Sequence, residues 1–176
     1  MQKLHLLVEF RVYKNLRTLN TYNKLIDPFK QNNIDLYLDV PNVLGKNILG
    51  QTSYKYPQIY KDENGRIVGI SVQTDYGGEQ NEIGRVKTLL HEAVHANRKY
   101  NGKKESKFHN GFDRQSVLDG LKEYNKQFLN SKYSNQQLDV ISWGGLLKSC
   151  EFEEYIKNAE FKSQMQLLVK HFRLQK

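Results

Sequence analysis

The chain is short of cysteine: Cys150 is its only one. An intramolecular disulfide is therefore impossible, and so is a four-cysteine zinc ribbon. A lone cysteine fits a reducing compartment without excluding delivery out of the cell. Long apolar runs are missing too. None approaches the roughly 20 residues needed to cross a bilayer, so no membrane partner is expected. The first residues, MQKLHLLVEFRVY, hold a short apolar patch broken by His5, Glu9 and Arg11. With no small-residue cleavage site after it, this is a poor signal peptide, and the expected location is cytoplasmic as made. Repeats, low-complexity tracts and linkers rich in Pro, Gly and Ser are lacking as well. A single domain over residues 1–176 is the reading that length and composition support.

Acidic residues are the scarcer sign, 19 against 27 Lys and Arg, giving a net charge of +8 and a pI of about 9.4. Such a balance favours acidic partners, nucleic acid among them. The lysines are scattered, however, so a solvated basic surface with at most weak nucleic-acid contact is the simpler reading. The densest basic stretch runs from Arg98-Lys99 through Lys103-Lys104 to Lys107, where it can attract acidic substrate.

Periodicity divides the chain. Leu4, Leu6, Val8, Phe10 and Val12 alternate with mostly polar residues, which predicts a strand or else the first turns of a longer helix. Leu16, Leu19, Leu25, Ile26 and Phe29 share one helical face, with Pro28 at its frayed end. Ile34, Leu36, Leu38 and Val40 alternate up to Pro41, and Ile67, Val68, Ile70 and Val72 follow a turn at Asp62-Glu63-Asn64-Gly65. The segment Ile67–Gln73 is read as an edge strand open to an extended peptide. Asn81 is a helix N-cap with Glu82 in the first turn, and Ile83, Val86, Leu90, Ala93 and Val94 form the apolar stripe that follows. Asn101-Gly102 stops that helix. Later helices carry Val117 to Phe128 and Phe152 to Phe172, with a turn at Gly144-Gly145 between them. Strands first and helices afterwards predict an α+β domain: a small twisted β-sheet packed on the helix after Asn81, with further helices behind it.

The chemistry-bearing motif is His91-Glu92-Ala93-Val94-His95. An offset of four puts both imidazoles on one helix face, one turn apart, where they can share a zinc ion at about 2.0–2.1 Å. Glu92 flanks such a metal without ligating it and can act as general acid/base toward a water that the zinc activates. The plainer reading is two surface histidines and a helix-favouring glutamate; the amphipathic context argues against it. A catalytic zinc site needs a third ligand and an open position. The extended pattern that supplies it within the next few residues is absent, since Arg98 and Asn101 stand there. His109 is the favoured third ligand, with Glu105, Asp113 and Glu123 as competitors. His5 and His171 lack partners at ligand spacing, and Cys150 has no histidine near it in sequence. Tyr100, Tyr124 and Tyr133 are candidate donors to a developing oxyanion. Trp143 is read as a core anchor ahead of a cleft wall.

The stretch HEAVHANRKYNGKKESKFHNGFDR resembles the SprT-like zincins, in which HExxH and alanine are followed by a loop and then a histidine, glycine and an aromatic residue. His91, Glu92, His95, Ala96 and His109 match; Asn110 intrudes before Gly111. The resemblance implies a zincin-like fold, Zn2+ bound by His91, His95 and His109, and Glu92 as the catalytic acid/base of peptide-bond hydrolysis. GQTSY at 50–54 and ISWGGL at 141–146 look like a subgroup of small Bacteroidetes domains of this kind. These often end secreted or toxin-like proteins, which implies a second setting: an effector peptidase delivered outside the cell, with an immunity or carrier protein as partner. The missing zinc ribbon speaks against DNA–protein crosslink repair. A rival of another class is a basic nucleic-acid-binding protein with structural zinc or none.

Overall fold

Residues 10–39, 50–53, 60–64, 67–74, 81–103 and 109–157 are described by the structure, a computed structural model. Helix α1 covers residues 10–16, so the alternation there belongs to a helix and not to a strand; residues 4–9 lie outside the described ones. Val12 and Leu16 are buried from it, while Phe10 is exposed. Helix α2 (Asn20–Gln31) buries Tyr22, Leu25, Ile26 and Phe29. It runs three residues beyond Pro28, which lacks one amide donor but does not prevent Phe29 from reaching the core. Asn33, at φ 52°, turns the chain out.

Helix α3 (Glu82–Tyr100) is the axis of the molecule. Asn81 caps it, accepting from the Gly84 amide at 2.8 Å. From Ile83 to Val94 every residue is buried, so the helix is enclosed on all sides rather than along one stripe. Helices α4 (Arg114–Phe128) and α5 (Asn135–Ser142) pack beside it, and α6 (Cys150–Tyr155) closes the described chain. Asp113 caps α4, a Ser134/Gln137 capping box starts α5, and Ser149 caps α6. The main core joins α1 to α5 through Leu16, Leu19, Phe29, Leu90, Leu121 and Leu138; a smaller one gathers Trp143, Leu146 and Phe152.

Among the described residues four short strands pair through their backbones: β1 (Asp35–Asp39), β2 (Gly50–Ser53), β3 (Tyr60–Lys61) and β4 (Ile67–Thr74). β4 lies between β1, parallel to it, and β2, antiparallel; β3 also pairs with β4. The segment Ile67–Gln73 is thus an interior strand with both edges taken, not the open edge expected from the sequence.

The expected fold class is corrected. The residues described down to their side chains are 66% helical and hold no sheet. Among the residues described down to their side chains, the main core lies in the helices and in the segments that flank them, Leu19 before α2 and Ile34 before β1. Among those residues helices pack on helices, and the expected α+β zincin-like arrangement, with a small twisted β-sheet as a packing layer on the HExxH helix, is not the architecture they show. The physical reason is that period-two alternation reports where a strand forms, not which elements supply the core. Here the helical stripes of α2, α3, α4 and α5 bury one another.

Candidate metal centre

Two of the three histidines come from α3. His91 and His95 stand one turn apart, and their Nε2 atoms are 3.1 Å from each other. Two nitrogens bound tetrahedrally at about 2.0–2.1 Å from one zinc ion lie roughly 3.3 Å apart, so this spacing fits a shared metal. His109 joins them across the loop after α3. One nitrogen from each of the three lies within 4.8 Å of the others. His91 is buried and the other two are half-buried, so the cluster has an inner and an open side.

The loop that delivers His109 is held at several points. His109 itself has φ 63° and Gly111 has φ 68°. A left-handed conformation disfavours a side chain with a Cβ, and such departures concentrate at functional sites. The Phe112 amide donates to the His109 carbonyl at 3.0 Å, closing a turn. The Arg98 guanidinium donates to the Gly111 carbonyl. The Gly111 amide donates to Glu151 Oε1 at 2.6 Å, and the Cys150 amide to Asn110 Oδ1 at 3.1 Å. Asn110, the residue that departs from the SprT-like pattern, thus ties the loop to the start of α6. Arg98, grouped above with a substrate-attracting basic stretch, is engaged in holding the ligand loop.

Protonation suits metal binding. Burial pushes the His91 imidazole well below its ordinary range, with His95, Lys87 and His109 adding repulsion. A neutral imidazole keeps the lone pair that a metal needs. His91 Nδ1 is buried and has no hydrogen-bond partner among the described residues. Phe112 lies against the triad, stacked on His91 with ring centroids 4.5 Å apart and 5.0 and 5.9 Å from His95 and His109. Glu92 is buried next to His91 in α3.

Two of the carboxylate competitors are engaged elsewhere. Asp113 accepts from the Ser116 amide as the α4 cap. Glu123 accepts from the Asn20 and Thr21 amides at 2.8 and 3.0 Å. Glu105 lies outside the described residues, as do His5 and His171. The contacts described for the three candidate tyrosines are with residues other than the histidines. Tyr124 donates to Glu82, Tyr100 packs edge-on against Phe29, and Tyr133 feels the Glu82 charge. Cys150 is exposed at the head of α6 rather than packed.

A cavity of about 240 Å³ opens beside His109, lined among others by Phe112, Arg114, Trp143, Leu146 and Glu151. Trp143 serves both uses weighed from the sequence. It packs on Phe152 and Tyr155 at 5.3 and 4.7 Å and also walls this cavity. Sequence reasoning missed Phe112, Glu151 and the small space between Gly145 and His91. The Gly144-Gly145 doublet was the only visible signal for the last. Comparison with known proteins brings no match from family models, curated proteins or solved structures.

Proposed function

We propose that this chain is a zinc-dependent metallopeptidase. The observation that carries the reading is the convergence of His91, His95 and His109 beside the buried Glu92. Three imidazoles suit Zn2+, and three protein ligands leave a position open for water or substrate. Among the described residues no fourth His, Cys, Asp or Glu joins the group, which favours a catalytic over a closed structural site. The resemblance of HEAVHA and His109 to the SprT-like zincins supports the same assignment.

Bound there, zinc supplies Lewis acidity toward a peptide carbonyl and lowers the pKa of water. The chain's own part is to position and to move protons. His91 and His95, fixed by α3, and His109, fixed by its strained loop, orient the site. Glu92 accepts the proton of the attacking water and returns it to the leaving amine. The cavity beside His109 offers room for a substrate side chain.

Glu92→Gln is the test. The variant is expected to keep zinc while its turnover of a fluorogenic peptide library falls by about 10²-fold or more. Retained turnover, or a zinc-loaded native protein that cleaves no peptide in the library, contradicts the proposal.

A further inference from the structure

A metal-ligating histidine normally donates its second ring nitrogen to a carbonyl or carboxylate, which fixes the ring. Among the described residues His91 has no such acceptor, its buried Nδ1 being without a partner there. Its ring is nevertheless closely confined. Phe112 covers one face, with an interplanar angle of 25°. The turn after α5 leaves little room for a side chain beside ring Cε1. A Cβ built on Gly145 would lie 3.1 Å from His91 Cε1 and 3.6 Å from each ring nitrogen. Cε1 lies between the two nitrogens, so a push there swings Nε2 relative to His95 and His109. Gly145 also has φ +88°, a conformation that L side chains rarely adopt.

We propose that Gly145 and Phe112 are positioning residues that aim the His91 imidazole at the metal by packing, in place of the usual hydrogen bond. The inference rests on the metal-site reading and adds to it the means by which its most buried ligand is oriented. Neighbouring Gly144 supplies an internal control. A Cβ there would meet the Ile141 carbonyl at 3.2 Å and the Lys87 side chain at 3.3 Å, nearer than any atom of His91.

The test compares Gly145→Ala, Gly144→Ala, Phe112→Leu and Phe112→Tyr with the native chain. Zinc affinity is read by chelator competition, the visible spectrum after Co2+ substitution reports ligand geometry, and urea unfolding of the metal-free proteins reports stability. Gly145→Ala and Phe112→Leu are expected to lower zinc affinity by roughly tenfold or more and to shift the Co2+ bands. Phe112→Tyr, which keeps the stacked ring, and Gly144→Ala are expected to retain native affinity and spectrum. A loss of stability alone leaves the Co2+ bands unmoved. If Gly145→Ala does not fold, Phe112→Leu against Phe112→Tyr decides. Native affinity and spectrum in both perturbing variants overturn the inference while leaving the metal site intact. An equal loss in Gly144→Ala also overturns it, because the turn and not the contact is then responsible. A native chain that binds no metal overturns the site and this inference together.

Discussion

At the scale of single residues, the histidine set was legible because four-residue spacing on a helix has a simple geometric consequence. With His5 and His171 lacking partners at ligand spacing, His109 was the remaining histidine to weigh against the carboxylates. What no local pattern reveals is the backbone state of His109. At φ 63°, a Cβ costs about 1–2 kcal/mol relative to glycine. In metal-free protein, His109→Gly is therefore expected to be more stable than His109→Ala by about 1 kcal/mol in urea unfolding. Equal stabilities would contradict the left-handed loop. The packing of Phe112 and Gly145 on His91 was equally hidden, because it joins residues from the loop after α3 and the turn after α5.

At the scale of elements, caps and helical stripes were readable where they are local. Asn81 and the stripe from Ile83 to Val94 lie on α3. The cap of α2 was unreadable because it comes from elsewhere. Leu19 has no capping side chain, and the Glu123 carboxylate on α4 takes the Asn20 and Thr21 amides instead. Partial burial opposes ionisation of Glu123, but those backbone hydrogen bonds win and hold its pKa below the usual 4.5. A depressed carboxylate pKa contributes stability above the unfolded value and loses it as pH falls through the folded one. Glu123→Gln is thus expected to cost about 1 kcal/mol at pH 7, with the difference from native shrinking as pH drops below 4.5. A pH-independent difference would contradict the trans cap. Gly120 marks where α4 meets α3: a Cβ there would fall 2.6 Å from Leu90 Cδ2. Gly120→Ala should lower stability by about 1–3 kcal/mol despite alanine's better helix propensity. A more stable variant would show that the two helices are not in close contact.

At the scale of the whole molecule, the sequence pointed to the wrong balance of layers. Alternation at Ile34–Val40 and Ile67–Val72 coincides with paired backbone, β1 and β4. Among the residues described down to their side chains the core nevertheless lies in the helices, where α2, α4 and α5 bury their stripes with that of α3. How the layers share the core depends on long-range packing that period alone does not encode. The scattered +8 charge predicts weak DNA binding that falls steeply with added salt. The expectation is no change in His95→Ala, because the excess charge is scattered along the chain and not gathered at the triad. Salt-resistant binding that needs His95 would favour the nucleic-acid role over the peptidase.

The most direct measurement is zinc content by elemental analysis of the native chain and of His109→Ala, both purified without added metal. About one zinc per native chain, lost or sharply weakened in the variant, is the result the three-histidine centre predicts. Zinc retained undiminished in His109→Ala, or a native chain that takes up none even after reconstitution, would contradict it.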